Sequence, residues 1–186
     1  RKALLPSAPN DAELEQVSRF WSEVQPSLDA VVQNASVGSS NSVIVAAMWS
    51  RSANASGVFL QEAGRLKAAA ALFKEALRLN ADNAAANVNL QVNQALMTGK
   101  SLSTDLVKIW DGKPGLLDLY GPVDEPEFLR LFGSALLAQK DDMVRRAAVN
   151  FARASRLSPT NRFNHFGFIA AALAVGDMGS ATNVLN

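Results

Sequence analysis

The chain has 186 residues, of which 48% are hydrophobic and 19% are charged, and its formal net charge is +1. This composition is typical of a globular domain, and so small a net charge gives no reason to expect nucleic acid as a partner. Cysteine is absent from the sequence, which excludes disulfides and thiolate metal sites. The longest apolar run, residues 43–49, is too short to span a membrane, so we expect no direct membrane insertion.

The N-terminal part of the sequence predicts a linker followed by a helical segment. Residues 1–9 contain two prolines and are predicted to be the linker. A helix is predicted from Asn10, because Asn10 and Glu13 have the spacing of a capping box. Pro26 lies inside this helix and is expected to kink or split it. The helical segment and its loop cover residues 10–41, and an apolar stripe runs along it: Leu14, Val17, Trp21, Val24, Leu28 and Val31.

The following helices can be placed from periodicity and caps. Helices are predicted over about residues 42–62, 66–79 and 84–98, the last capped by Asp82 or Asn83. Within the third, polar and apolar residues alternate as in a strand, but its flanks are strong helix formers, which favours helix.

Residues 42–186 carry small residues and an aromatic at recurring offsets, which is how two antiparallel helices pack around a tight turn. The first set is Gly57, Gly64, Ala69, Phe73 and Ala76, and the second is Ala147, Phe151, Ala154 and Pro159, with Ala135 at the position of Gly57. With about 34 residues per unit, the repeats span about 50–83, 84–117 (degenerate), 128–161 and 162–186 (incomplete). A weak helix is expected at 102–110, where Trp110 occupies the slot of a small residue, and 111–127 is expected to be a loop.

These two sets of residues resemble the motif of the tetratricopeptide repeat (TPR) family. The resemblance implies an all-α fold in which antiparallel helix pairs form a superhelix. It also implies a concave groove, lined by the first helix of each pair, that holds peptides or partner proteins. In this register the groove residues are Arg51, Asn54, Gln61, Asn89 and Phe163, with Phe166 close by.

The groove residues favour a neutral ligand. One TPR subclass grips a peptide's C-terminal carboxylate with Lys, Arg and Asn at set positions, and here only Asn89 matches. Phe163 and Gly167 stand where that subclass has cations. Amide side chains can instead form hydrogen bonds with an extended peptide backbone. Because these groups are uncharged, we expect weak binding that depends little on salt concentration. The alternative is that the groove is filled by this chain's own N-terminal helix.

Residues 57–96 also resemble the soluble TPR tails that follow multi-span membrane modules in some bacterial envelope proteins, some of which look like glycosyltransferases. This resemblance implies an alternative function, as the accessory tail of a membrane-bound bacterial transferase whose catalytic module lies outside the chain. It also implies an extracytoplasmic, periplasmic location. The chain starts at Arg1 without Met and stops inside a predicted helix, so we expect it to be a fragment of a longer protein.

No residue pattern indicates catalysis, a cofactor or a metal. His165 is the only histidine and is expected on a helix face or in the core. The acidic pairs Asp124–Glu125 and Asp141–Asp142 are expected to cap helices. A basic stretch is expected to lie on a solvated convex surface, and the alternative is a patch that binds an anionic partner. Its residues are Arg145, Arg146, Arg153, Arg156 and Arg162.

Two further expectations concern packing. Trp21 is expected in the core because it lies on the apolar stripe, although a binding platform formed by Trp21, Trp49 and Trp110 is the alternative. The apolar face of residues 163–173 lacks a following layer, and solenoids need a polar cap at each end. We therefore expect self-association through this end, or a following segment that covers it.

Overall fold

A computed structural model describes residues 4–100, 115–139 and 143–183. Within these ranges the chain forms α-helices and no strand, so the fold is all-α as predicted. The helices are α1 (Asp11–Ser36), α2 (Ser40–Glu62), α3 (Leu66–Leu79), α4 (Ala84–Thr98), α5 (Leu116–Tyr120), α6 (Pro126–Gln139), α7 (Met143–Leu157), α8 (Arg162–Ala174) and α9 (Met178–Asn183). The expected helix at 102–110, Trp110 and the pair Asp141–Asp142 lie outside the described residues.

The chain divides into two compact units. The first unit is Ala8–Asp124, and the second unit combines Arg1–Ser7 with Glu125–Asn186. Leu4, inside the predicted linker, is buried in the hydrophobic core of the second unit. None of the helices in the described ranges is long and apolar enough to cross a bilayer.

Helix α1 begins at the predicted capping box. Asn10 Oδ1 accepts the Glu13 N–H at 3.0 Å, and Glu13 Oε2 accepts the Asn10 N–H at 2.8 Å. The helix continues through Pro26, so of the two predicted outcomes, a kink or a split, the split is wrong. Trp21 and Leu28, on either side of Pro26, are buried in one core, and this packing holds the helix together where the main-chain hydrogen bond is missing.

Helices α2 and α3 form a hairpin around Phe73. Ala69, Phe73 and Ala76 have no exposed surface, which confirms their predicted burial. A Cβ at Gly57 would lie only 2.5 Å from Phe73 Cε1, so the ring lies directly against the backbone of α2. Gly64, with φ of +74°, ends the hairpin's first helix in the left-handed region that favours glycine.

Helix α4 has the predicted bounds, and Asn83 caps it by accepting the Ala86 N–H at 2.9 Å. The strand-like alternation in its sequence has a structural explanation. On a helix, apolar and amide side chains at neighbouring positions share one buried face, and all four are buried here: Val88, Asn89, Val92 and Asn93.

The expected loop at 111–127 is corrected in its described part. Residues 116–120 form the short helix α5, and Pro126 already belongs to α6. Helix α5 packs on α2 and α4 and ends at Gly121, whose φ of +87° redirects the chain. Gly115 and Gly121, two of the glycines that indicated a loop, flank α5 at its two ends.

The second unit contains a similar hairpin, α6–α7, whose predicted core residues Ala147, Phe151 and Ala154 are buried. The helix register differs from the expectation in one place. Gly133 faces Phe151, at 3.2 Å from an added Cβ, whereas Ala135 is exposed. Pro159 is also exposed, so it terminates the hairpin without contributing buried surface.

Candidate functional site

The first unit buries an unusual set of neutral polar side chains between α2 and α4, which we call the amide cleft: Asn54, Gln61, Asn83, Asn89 and Asn93. Each is at most 2% exposed. Burying an amide without hydrogen bonds is costly, so such groups are paired in most proteins. The partners of these side chains therefore indicate what the cleft is built to hold.

Helical spacing brings the amides to one face of each helix. Asn54 and Gln61 are seven residues apart on α2, which is close to two turns. Asn89 and Asn93 are four residues apart on α4, one turn apart on the same face. The two faces meet directly, since Asn89 Nδ2 donates to Asn54 Oδ1 at 2.8 Å.

A short segment, residues 120–124, lies in the amide cleft, and we call it the strap. Tyr120 is the last residue of α5, and residues 121–124 belong to no helix or strand. Asn54 Nδ2 donates to the carbonyl oxygens of Tyr120 at 3.0 Å and Pro122 at 2.9 Å. Asn89 Nδ2 donates to the same Pro122 oxygen at 2.9 Å, and Asn89 Oδ1 accepts the Asp124 N–H at 2.7 Å. The cleft thus binds alternate main-chain groups, which share one side of an extended chain.

The side chains of the strap also contribute to its fit in the amide cleft. A side chain at Gly121 would be crowded and strained, because an added Cβ would lie 3.2 Å from the Arg51 carbonyl oxygen and φ is +87°. Val123 is 3% exposed. Asp124 Oδ2 accepts a hydrogen bond from Gln61 Nε2 at 2.7 Å. The Pro122 ring is exposed, and its carbonyl makes the contacts.

Ser50 and Asn83 support one end of the cleft. Asn83 Nδ2 donates to Ser50 Oγ at 2.9 Å, and Ser50 Oγ donates to the Ala76 carbonyl at 2.7 Å. Asn83 Nδ2 also lies 3.4 Å from the Tyr120 carbonyl oxygen. These bonds connect α2, α3 and the start of α4, so the helices that carry the amides are held in register.

The structure brings together three of the predicted groove residues: Asn54, Gln61 and Asn89. Arg51 is exposed, although its backbone contacts the strap. Phe163 and Phe166 lie on α8 in the second unit and are 71% and 60% exposed.

The N-terminal helix, the alternative occupant of the groove, packs on other surfaces of the first unit. Helix α1 packs on α2 and α3 through Leu14, Trp21 and Leu28, in the hydrophobic core of the first unit. The strap occupies the cleft instead.

Two expectations for charged residues are corrected. Glu125 caps α6 as predicted, accepting the Phe128 N–H at 2.6 Å, but Asp124 anchors the strap. Arg153 is only 7% exposed and so does not belong to a solvated surface.

The predictions for His165 and the tryptophans can also be compared with the structure. His165 is half-buried, with Nε2 2.9 Å from the Pro159 carbonyl oxygen. Among the described residues, no group of three His, Asp or Glu side chains could hold a metal ion. Trp21 is buried as predicted, and its ring meets the half-buried Trp49 edge-on at 5.8 Å.

A second concave region lies between α1 and α3, with a volume of about 600 Å³. It is lined mainly by apolar side chains, including Trp21, Leu60 and Leu72. Trp21 Nε1 is buried there without a hydrogen-bond partner in the described part of the chain. The polar side chains of its wall already have partners within the chain: Ser18, Ser22, Gln25 and Glu75. This region therefore offers fewer groups for binding a main chain than the amide cleft.

Ion pairs on α3 and α6 shift the pKa of Arg78, Glu127 and Arg130. The Arg130 guanidinium donates to Glu127 and lowers the pKa of that carboxyl, while Glu127 raises the pKa of Arg130. Glu75 raises the pKa of Arg78 chiefly by accepting its hydrogen bonds. The cleft itself is lined by amides, which neither bind nor release protons near neutral pH.

Comparisons with protein families, with curated proteins and with solved structures find no match to this chain. Conclusions about its activity therefore depend on the geometry of the two units.

The sequence predicted three of the cleft's amides, Asn54, Gln61 and Asn89, as groove residues, but not the whole buried polar network. Asn93 and Ser50 were not singled out, and the strap was assigned to a loop outside the repeats. The available signal was in the α4 sequence, where Asn89 and Asn93 recur beside Val88 and Val92. Amides on an otherwise apolar helix face indicate a buried polar network. No sequence pattern identified the segment that fills it.

Proposed function

We propose that the first unit is a non-catalytic scaffold that binds extended segments of proteins or peptides in the amide cleft. The single observation that supports this most is the pairing of Asn54 and Asn89 with alternate main-chain groups of the strap. Main-chain recognition depends little on ligand sequence, so the same amides can bind an extended segment from another protein.

The chemistry of the cleft favours binding over catalysis. Its amides are hydrogen-bond donors and acceptors without nucleophilic or acid–base character at neutral pH. The ligand contacts of such a cleft are neutral, so we expect affinity to change little with salt. We also propose that the hairpins α2–α3 and α6–α7 are units of the TPR class, which is supported by Phe73 and Phe151 packed among small residues.

The test is peptide binding with a matched pair of variants. A random pool of proline-containing peptides is immobilised, and binding of the unaltered chain is compared with that of Asn89→Leu and Asn87→Leu. Asn89 is buried in the cleft, whereas Asn87 is exposed on the same helix. We expect Asn89→Leu to lose binding and Asn87→Leu to keep it. Equal binding by both variants would place the ligand elsewhere.

A further inference from the structure

The concave region between α1 and α3 lies within the first unit, and we call it the interhelical groove. Its walls come from α1 between Ser18 and Gln25 and from α3 between Ala68 and Glu75. Leu60 of α2, which is 2% exposed, forms its floor. The volume of about 600 Å³ falls within the range of small-molecule pockets, roughly 300 to 1,000 Å³.

The groove exists because short side chains face each other across it. Helices α1 and α3 both pack on α2, and each wall covers about two helical turns, or about 10 Å. Ser18, Ser22 and Ala71 on its rim are exposed. None of these side chains is long enough to fill the space between two neighbouring helices, so the groove stays open to solvent.

Ion pairs connect α1 to α3 beyond both ends of the groove. Arg65, which directly precedes α3, has Nη2 2.5 Å from Asp11 Oδ1. Arg78, in the last turn of α3, has Nη2 2.9 Å from Asp29 Oδ1. Such exposed pairs add little stability, but their side chains cross the space between the helices. A long partner helix therefore cannot lie along the groove, whereas a compact molecule fits between the pairs.

The polar groups of the groove indicate an uncharged ligand. Glu75 is the charged residue of its walls, and both carboxylate oxygens already accept hydrogen bonds from Arg78, at 2.6 and 2.8 Å. The hydroxyls of Ser18 and Ser22 donate to carbonyls of their own helix. Trp21 differs, because it is 6% exposed and its Nε1 has no partner among the described residues. An unpaired buried N–H is costly, and an acceptor on a ligand would pair it.

We propose that the interhelical groove binds a small uncharged molecule with a compact apolar body and one hydrogen-bond acceptor. The apolar body contacts Leu60, Leu72 and the ring of Trp21, and the acceptor pairs with the Trp21 N–H. A charged ligand is disfavoured, because no wall residue is free to neutralise it. The groove is separate from the amide cleft, so this proposal does not depend on the proposed function.

The test uses prodan, an uncharged naphthalene ketone whose emission shifts to the blue in apolar surroundings. It is titrated with the unaltered chain, with Ala71→Phe, and with Ala30→Phe, the same change at an exposed position of α1 outside the groove. We expect the unaltered chain and Ala30→Phe to bind prodan alike. Ala71→Phe should bind it at least about tenfold more weakly, because the new ring takes up space in the groove.

Trp21→Phe tests the role of the indole N–H. Equilibrium dialysis compares prodan with dimethylaminonaphthalene, which has the same aromatic body without the ketone. In the unaltered chain we expect prodan to bind about fivefold tighter, in line with one added hydrogen bond, and in Trp21→Phe this preference should disappear. A purely structural effect of Trp21→Phe would weaken both molecules equally and leave the preference unchanged, which would contradict the proposal.

The charge of the ligand is tested with the naphthoate that carries a carboxylate in place of the ketone. It should bind the unaltered chain at least about tenfold more weakly than prodan, and equal affinity would show that the ligand class is wrong. If Ala71→Phe loses its helical circular dichroism, Ser22→Phe places a ring in the groove from the opposite wall. No blue shift with the unaltered chain, or the same shift with a folded blocking variant, would overturn the proposal.

Discussion

Phe73 shows how one side chain determines the packing of a whole hairpin. It has no exposed surface and lies against the backbone of α2 at Gly57. We expect Phe73→Ala to lower the free energy of unfolding by about 3–5 kcal/mol, because it removes buried surface and leaves a cavity. Phe166, 60% exposed, is the matched control, and Phe166→Ala should cost less than about 0.5 kcal/mol. Chemical denaturation measures both, and a cost below about 1 kcal/mol for Phe73→Ala would contradict the packing described.

Residue roles were predictable where they depend on neighbours in the same hairpin. Ala69, Phe73 and Ala76 are buried as their spacing predicted. The role of Asp124 was not predictable, because its partners Gln61 and Asn89 are far away in sequence. The sequence around Asp124 favours helix capping, because a carboxylate precedes a helix there. Only the tertiary structure shows that this carboxylate accepts a hydrogen bond from Gln61.

At the scale of elements, the sequence predicted helices best where periodicity and caps agree. Helices α3 and α4 have the predicted bounds, and Asn83 caps α4. Helix α5 was missed because its five residues are too few to show helical periodicity. Residues 121–124 of the strap belong to no helix or strand, so no periodic pattern marks them, and the amides that bind them come from distant parts of the sequence.

Helix α6 carries an ion pair whose contribution should depend on pH. Arg130 Nε donates to Glu127 Oε2 at 2.8 Å, and the folded-state pKa of Glu127 is lowered by this bond. Its contribution is therefore present above the unfolded-state pKa, near 4.5, and is lost as pH falls through the folded-state pKa. Since Glu127 is 42% exposed, we expect Glu127→Gln to cost at most about 0.5 kcal/mol at pH 7.

The difference between Glu127→Gln and the unaltered chain should vanish as the pH falls through the lowered folded-state pKa of Glu127. Urea denaturation over a pH series measures this, with the exposed Glu23→Gln on α1 as the control. A difference that grows on acidification would mean that the pair does not stabilise the folded chain.

At the scale of the whole molecule, α8 presents an apolar surface to solvent. Phe163, Phe166 and Leu173 are 71%, 60% and 48% exposed, and exposed apolar patches commonly mark association sites. We predict that the chain self-associates at high concentration through this surface. Light scattering over a concentration series should show a rising mass that Phe163→Ser combined with Phe166→Ser removes. A chain that remains monomeric without these substitutions would contradict the prediction.

The central claim is that the amides of the first unit recognise an extended main chain, which here is the chain's own strap. The most direct probe is the Asp124 N–H, which donates to Asn89 Oδ1 at 2.7 Å in a buried position. Hydrogen exchange reports the opening of such a bond. It can be measured on this single amide by NMR in the unaltered chain, in Asn89→Leu and in the exposed control Asn87→Leu.

We expect the Asp124 amide to exchange at least about a hundredfold more slowly than an exposed amide in the unaltered chain and in Asn87→Leu. In Asn89→Leu, with the rest of the chain still folded, this protection should fall by about tenfold or more, because its acceptor is gone. Exchange at the rate of an exposed amide in the unaltered chain, or unchanged protection in Asn89→Leu, would contradict the claim.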